Sequence, residues 1–428
     1  MDRTTGEGML QARTRLTLAL IFALSPLAAS AQLELIGGQS ARATDNARKA
    51  TTAENSDLES RTYLKASYVS DPGRCEASFA GILGYSMWQD DSFDSESDGT
   101  MDLDSQCEFA TGLFWDLDNN LREVRQDSTR SDTPSNTTQK NVFSTGPRYI
   151  WRLGGTDSIT LDTKYENTEF SEPEETDSER VLGSVAWNHL FSQTLSGGLS
   201  LFASSTEFDS GAEVDVETFR ATFQKRWATT ALSGAFGVSE IESDFGGTTR
   251  SSDGLVGEID LTRALNPSTD WYLRAARELT DRTSSFDIRF EDFEFNLKES
   301  LTVETTTLST GINKAFPDRS SLNAKVFANQ SDLLETNELE ESAGLDVRYS
   351  RALSELLTGF ASLGYRYTAF EEDESDDETI NLELGLDYQV SRDLSVTGQL
   401  GQEQKNSDVP SREYDELWIL VGVEYRFR

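Results

Sequence analysis

The amino-acid sequence predicts an all-β protein, a single antiparallel transmembrane β-barrel of about 18 strands, with 16 or 20 as the alternatives. Three observations carry this expectation. Apolar and polar residues alternate with period two over most of the chain, connections alternate between short and long, and an export segment precedes a chain with no later run apolar enough for a membrane helix.

The export segment is residues 1–31, read as a signal peptide. Arg13 and Arg15 precede the apolar run Leu16–Leu24, and Ala29, Ser30 and Ala31 supply the small residues a signal peptidase needs. That run is too short to cross a bilayer, which takes about 20 residues as helix. Three arginines leave with it against Asp2 and Glu7, so cleavage takes the formal charge from −37 to −38. A surface this acidic repels nucleic acid, which excludes that class of partner, and attracts cations.

Residues 32–76 show no sustained period and read as a periplasmic N-terminal arm or a plug; residues 77–428 read as the barrel. Leu382, Leu384, Leu386, Tyr388 and Val390 alternate with Asn381, Glu383, Gly385, Asp387 and Gln389, which makes one apolar and one wet face. The last segment does the same, with Leu417, Ile419, Val421, Val423, Tyr425 and Phe427 on one side. Short connections fall at 154–156, near 192 and 229, at 266–269, 317–318, near 354 and at 392–393. Longer acidic stretches lie between them, near 91–102, 128–139, 171–178, 208–213, 245–251, 282–299, 332–337, 371–377 and 407–412. Transmembrane barrels sort periplasmic turns from outer loops in this way, whereas a β-sandwich has no reason to. A soluble propeller shares the repeat length, but its blades need four short strands per period where this chain offers two long ones.

Counting back from a periplasmic C-terminus gives 18 strands, the first near 77–90, the next near 103–115 and 120–127, and the last at 413–427. Strand 120–127 is the weakest, and Thr62–Val69 is an extra candidate. The expected location is the cell outer membrane, with lipid, lipopolysaccharide and the outer-membrane assembly machinery as partners. Trp151, Trp187, Phe191, Trp227, Trp271, Tyr272, Phe316, Tyr388, Tyr425 and Phe427 lie beside short turns, as a periplasmic aromatic girdle would.

The polar faces place Lys164, Arg220, Glu258, Asp260, Arg274, Glu278, Lys325, Asp346, Arg348, Arg366, Glu383 and Asp387 in the lumen, with Glu424 and Arg426 at its lower end. Charges on a dry wall are costly, so they imply a wet lumen or ion-pair ladders. The acidic loops suit weak association with divalent cations, but none has calcium-loop spacing, and no cofactor is expected. Cys75 and Cys107, the only cysteines, can pair after export; placing Cys75 at a strand end and Cys107 in mid-strand leaves the disulfide open. His189, the sole histidine, has Ser184 and Ser192 nearby, but no arrangement of nucleophile and base stands out, and no enzyme activity is expected.

Glu413–Phe427 is similar to the closing strand of outer-membrane barrels, with Arg428 as a departure after the terminal aromatic. The hairpins Val347–Phe360 and Leu386–Gly398 resemble those of the β-barrel porin 2 group over roughly residues 61–428. That resemblance implies links to exopolysaccharide or capsule export, and so polysaccharide-export components as partners. The function expected is a porin-like barrel for passive passage or export, with extracellular polysaccharide as the candidate cargo and a cation preference from the excess of carboxylates. The alternative is a non-conducting structural barrel whose acidic loops contact surface polymer or lipopolysaccharide.

Overall fold

In lipid every backbone group must find a partner within the protein, which a sheet achieves only by closing on itself. The computed structural model, which describes residues 32–298 and 301–428, shows that closure; the expected signal peptide, residues 1–31, lies outside the described residues. Twenty strands form one sheet: β1 (Gln32–Thr44), β2 (Asp57–Val69), β3 (Cys75–Trp88), β4 (Glu96–Ala110), β5 (Leu113–Arg125), β6 (Thr137–Leu153), β7 (Asp157–Phe170), β8 (Ser178–Ser192), β9 (Leu195–Phe208) and β10 (Glu213–Arg226), then β11 (Thr230–Phe245), β12 (Thr248–Asn266), β13 (Thr269–Asp281), β14 (Thr302–Ala315), β15 (Ser321–Leu333), β16 (Glu338–Ala352), β17 (Leu357–Phe370), β18 (Ser375–Gln389), β19 (Leu394–Ser407) and β20 (Tyr414–Arg426). Each pairs antiparallel with its sequence neighbours, and β1 pairs with β20 from Ile36↔Arg426 to Thr44↔Trp418. This is a multi-pass outer-membrane barrel with both ends of the described sheet on one side, that of the short turns, which the sorting of short turns from longer loops assigns to the periplasm.

Residues 32–69, expected as arm or plug, are instead β1 and β2 of the wall, paired over their whole length from Gln32↔Val69 to Thr44↔Asp57. They are the two strands that separate 18 from 20. The outer connections are also shorter than expected. Glu96 and Asp98 belong to β4, and the stretch 245–251 reduces to the turn Gly246–Gly247, both residues at positive φ (61° and 80°) as a tight hairpin turn demands. Charge that reads as loop in the sequence lies on a strand.

The pleat sorts the side chains. Leu255, Leu384, Ile419 and Val421 are exposed on the outer, lipid-facing surface, with Trp151, Trp187, Phe191, Trp227, Tyr388, Tyr425 and Phe427 exposed near its periplasmic edge. Tyr272 departs from the expected girdle. It shares a face with Arg274, whose guanidinium lies 5.8 Å from its ring, and so faces the lumen.

Candidate functional site: the closed outer mouth

Two hairpins do not stay in the wall. The pairing of β12 with β13 stops at Gly257↔Arg277, and that of β4 with β5 at Met101↔Leu121, while β13 stays with β14 to Asp281↔Thr302 and β5 with β6 to Arg125↔Thr137. The outer ends of β13 and β5 therefore peel inward, and sequence accounts for the first. At this level Val214, Val216, Ile241 and Val256 face inward, where the wall is elsewhere polar, and Leu279 of β13 packs on them at 1% exposure. Burying such a side chain contributes roughly 1.5–3 kcal/mol.

The connection from β13 to β14 continues across the mouth. It carries Phe286, Phe293, Phe295 and Leu297, which are buried with Ala276, Val303 and Leu333 in one apolar cluster, packed against Val124 of the β5 tip. The rings of Phe286 and Phe293 meet edge to face at 4.9 Å, as do those of Phe293 and Phe295 at 5.0 Å. A stretch expected to be a solvated acidic loop is thus held inside by its phenylalanines. Their recurrence between 286 and 297 is the signal that could have revealed it.

Polar contacts fix the segment on both sides of the ring. Lys140 of β6, 1% exposed, donates to the Ser284 carbonyl at 2.6 Å and to Asp287 at 2.9 Å. Arg180 of β8 reaches Asp281 at 2.6 Å while holding Glu166 of β7 at 2.5 Å, and Ser178 donates to the Thr283 hydroxyl at 2.9 Å. Across the lumen, Lys325 of β15 pairs with Asp292, and Glu294 lies between Arg366 of β17 at 3.1 Å and Arg125 of β5 at 3.6 Å. The Leu297 amide donates to the Gln126 carbonyl at 3.0 Å, and Asn296 donates to Ser128. In a ring of 20, β6 and β16 are opposite, so contacts with β5 to β8 and with β15 and β17 require the segment to span the diameter.

Electrostatics suit a latch. Burial opposes ionisation of Glu294, but Arg125 and Arg366 outweigh it and hold its carboxyl below the ordinary carboxylate range. Burial works against the Lys298 ammonium too, yet Glu175, at 2.8 Å, and Glu174 raise its pKa.

Two chambers flank the segment and share Arg125, Asp132 and Glu294. One, about 560 Å³, touches Arg42, Arg61, Glu96, Asp98 and Glu123. The other, about 610 Å³, touches Lys325, Asp346, Arg348, Arg366 and Glu383.

The twelve anticipated lumen residues all lie on the face opposite the lipid-facing row, but they do not form one site. Lys325, Asp346, Arg348, Arg366 and Glu383 share the larger chamber. Arg220 and Glu278 share a smaller cavity beside Arg180. Lys164 pairs with Asp118 at 2.7 Å and Arg274 with Asp260 at 3.0 Å, while Glu258 lies one inward position above Asp260 and Asp387 accepts from Thr397. At the lower end Glu424 pairs with Lys65 and Arg426 with Glu34. Lys140, Arg180, Glu294 and the four buried apolar side chains were missed.

Cys75 and Cys107 face each other on β3 and β4, 4.0 Å apart at Cα, and are disulfide-bonded. Cys107 is three residues from the periplasmic end of β4 rather than mid-strand, because β4 starts and ends earlier than its sequence suggested. His189 Nδ1 lies 2.9 Å from Asp157, and its ring meets Phe191 edge-on at 4.7 Å, which makes it a packing residue of the barrel rim. The acidic loops are drawn into pairs such as Asp373 with Arg412. Among the described residues no group of three or more His, Cys, Asp or Glu side chains converges to hold a metal.

The family model described as "Putative beta-barrel porin 2" matches residues 320–427. No curated protein matches the sequence. Solved structures similar to this chain include the siderophore receptor PirA from Pseudomonas aeruginosa, at 10% identity over 93% of this chain and 80% of that one, with a TM-score of 0.45. The ferric-catecholate import receptor Fiu from E. coli K12 gives 8% over 91% and 81%, with a TM-score of 0.47. The siderophore receptor PiuA from Acinetobacter baumannii gives 9% over 92% and 82%, with a TM-score of 0.45.

These findings correct the expected resemblance and function. The porin 2 model reaches β15 to β20, residues 320–427, and not residues 61–428. The mouth itself is crossed by residues 282–298, so a porin-like barrel for passive passage or polysaccharide export, with export components as partners, is not the function retained.

Proposed function

We propose that this chain is a gated, solute-selective outer-membrane transport protein, in which the β13–β14 connection closes the mouth and opens when a solute competes for its polar contacts. The observation that carries this reading is that segment 282–298 spans the ring and that it and the adjoining tip of β13 are held by separable ion pairs, Lys140 with Asp287, Arg180 with Asp281, Lys325 with Asp292 and Arg366 with Glu294. A segment meant only to fill the lumen would be served by apolar packing alone, since buried ion pairs add little net stability over hydrophobic replacements. Such pairs suit an element with two arrangements, because each can be exchanged for a ligand group or for water. The chambers on either side, polar and of small-molecule size, are where a solute would meet them.

Planar-bilayer recording of the refolded chain tests this. The full chain is expected to be closed for most of the time, and a chain with residues 286–297 replaced by a short Gly-Ser linker to conduct steadily. Equal, steady conductance of the two would refute the gate.

A further inference from the structure

Of the six lumen cations anticipated from sequence, Lys164, Arg220, Arg274, Lys325 and Arg366 each lie within 4 Å of a carboxylate. Arg348 has no such partner among the described residues. Its guanidinium is instead stacked over the Phe360 ring, 3.9 Å from the centroid. A ring face orients a guanidinium without using its in-plane N–H donors, so Arg348 is presented to the larger chamber as a fixed fork of free donors. In a chain of net charge −37, an unpaired cation facing water is conspicuous.

The row it belongs to matters as much. Strand register places Asn313, Asn323, Arg348, Ser362 and Glu383 side by side on β14 to β18, and all five line the 610 Å³ chamber. Glu383 likewise has no cationic partner among the described residues, and accepts only from the Ser362 hydroxyl at 3.2 Å. With one strand between them, Arg348 and Glu383 are about 10 Å apart at the backbone, two strand spacings. An interior ladder would bring the two charges together, as Arg274 and Asp260 are brought together at 3.0 Å. Here the stack on Phe360 holds them apart, with amide and hydroxyl groups alongside.

We propose that this row is a binding site for a small zwitterion, an ω-amino-acid-like solute whose carboxylate meets Arg348 and whose ammonium meets Glu383. A single anion would leave Glu383 beside it unfavourably, and a single cation would face Arg348; only a molecule carrying both charges satisfies the two ends. The site deepens the transport reading above by naming its solute class. It is tested by binding to the closed barrel, so its failure would leave the gating measurement standing.

The test is calorimetric titration of the full chain in nanodiscs with 4-aminobutanoate, butanoate and butylammonium. The zwitterion is expected to bind at least tenfold more tightly than either single ion. Arg348→Gln should abolish its advantage over butylammonium, and Glu383→Gln its advantage over butanoate, each leaving the barrel's heat-modifiable migration unchanged. Equal binding of the three probes, no binding of the zwitterion, or a preference that survives both substitutions would overturn the proposal.

Discussion

Replacing Arg180 with methionine is expected to release the tip of β13 from the wall. Arg180, Glu166 and Asp281 form a buried group with side chains 9%, 9% and 2% exposed, and Arg180 supplies two bonds to Asp281, at 2.8 and 2.6 Å. Removing one partner of a buried pair costs about 3–5 kcal/mol, because the remaining carboxylates are left without a counter-charge. Asp281 keeps its bonds from the Thr283 amide and hydroxyl, which places the loss toward the low end. At 1.4 kcal/mol per tenfold, about 3 kcal/mol shifts the closed-to-open ratio roughly a hundredfold. The wall should not share in this loss. β8 keeps its pairing with β7 and β9, and β13 beyond Arg277 is not paired with β12 in any case. Single-channel recording should therefore show far more frequent opening with unchanged heat-modifiable migration. Removing both charges, as Arg180→Met with Asp281→Leu, should recover part of the closure. Opening no more frequent than in the wild type, in a correctly assembled barrel, would refute the latch.

Acid should weaken the same closure. Glu294 is held below the ordinary carboxylate range when folded, so its contribution is present at neutral pH and is lost as pH falls through and below that range; open probability should rise in acid, and Glu294→Gln should remove that part of the response. Phe286→Ala should cost the inward segment about 3–5 kcal/mol and expose residues 282–298 to limited proteolysis at sites protected in the parent chain. Once opened by Phe286→Ala at neutral pH, the channel is expected to prefer cations, measured as a reversal potential under a salt gradient, because the carboxylates are in excess. Reducing the Cys75–Cys107 bond should lower the unfolding temperature of the β3–β4 hairpin without altering conductance, since the bond is at the periplasmic end, away from the gate.

The barrel was legible in the sequence because lipid on one side and water on the other force period two onto every strand; Leu384 against Glu383 says which face is which without any partner in view. The edges of that legibility are physical too. β1 and β2 are rich in small and charged residues, and β4 carries Asp98, Asp102 and Asp104 toward the lumen, so local hydropathy there resembles that of a loop. The strand count and the early strand bounds slipped for that reason. The pairing of Cys75 with Cys107 turned on the same one-strand register.

The closed mouth could not be read locally. Asp287 lies 147 residues from Lys140, Asp281 lies 101 residues from Arg180, and Glu294 lies 72 residues from Arg366, and nothing in the chain between these residues indicates that they meet. Sequence alone determined a closed, acidic, outer-membrane barrel with a charged interior. Only tertiary structure decided that a segment crosses the interior, because ring closure brings β6 and β16 to opposite sides of a gap that one phenylalanine-bearing segment bridges.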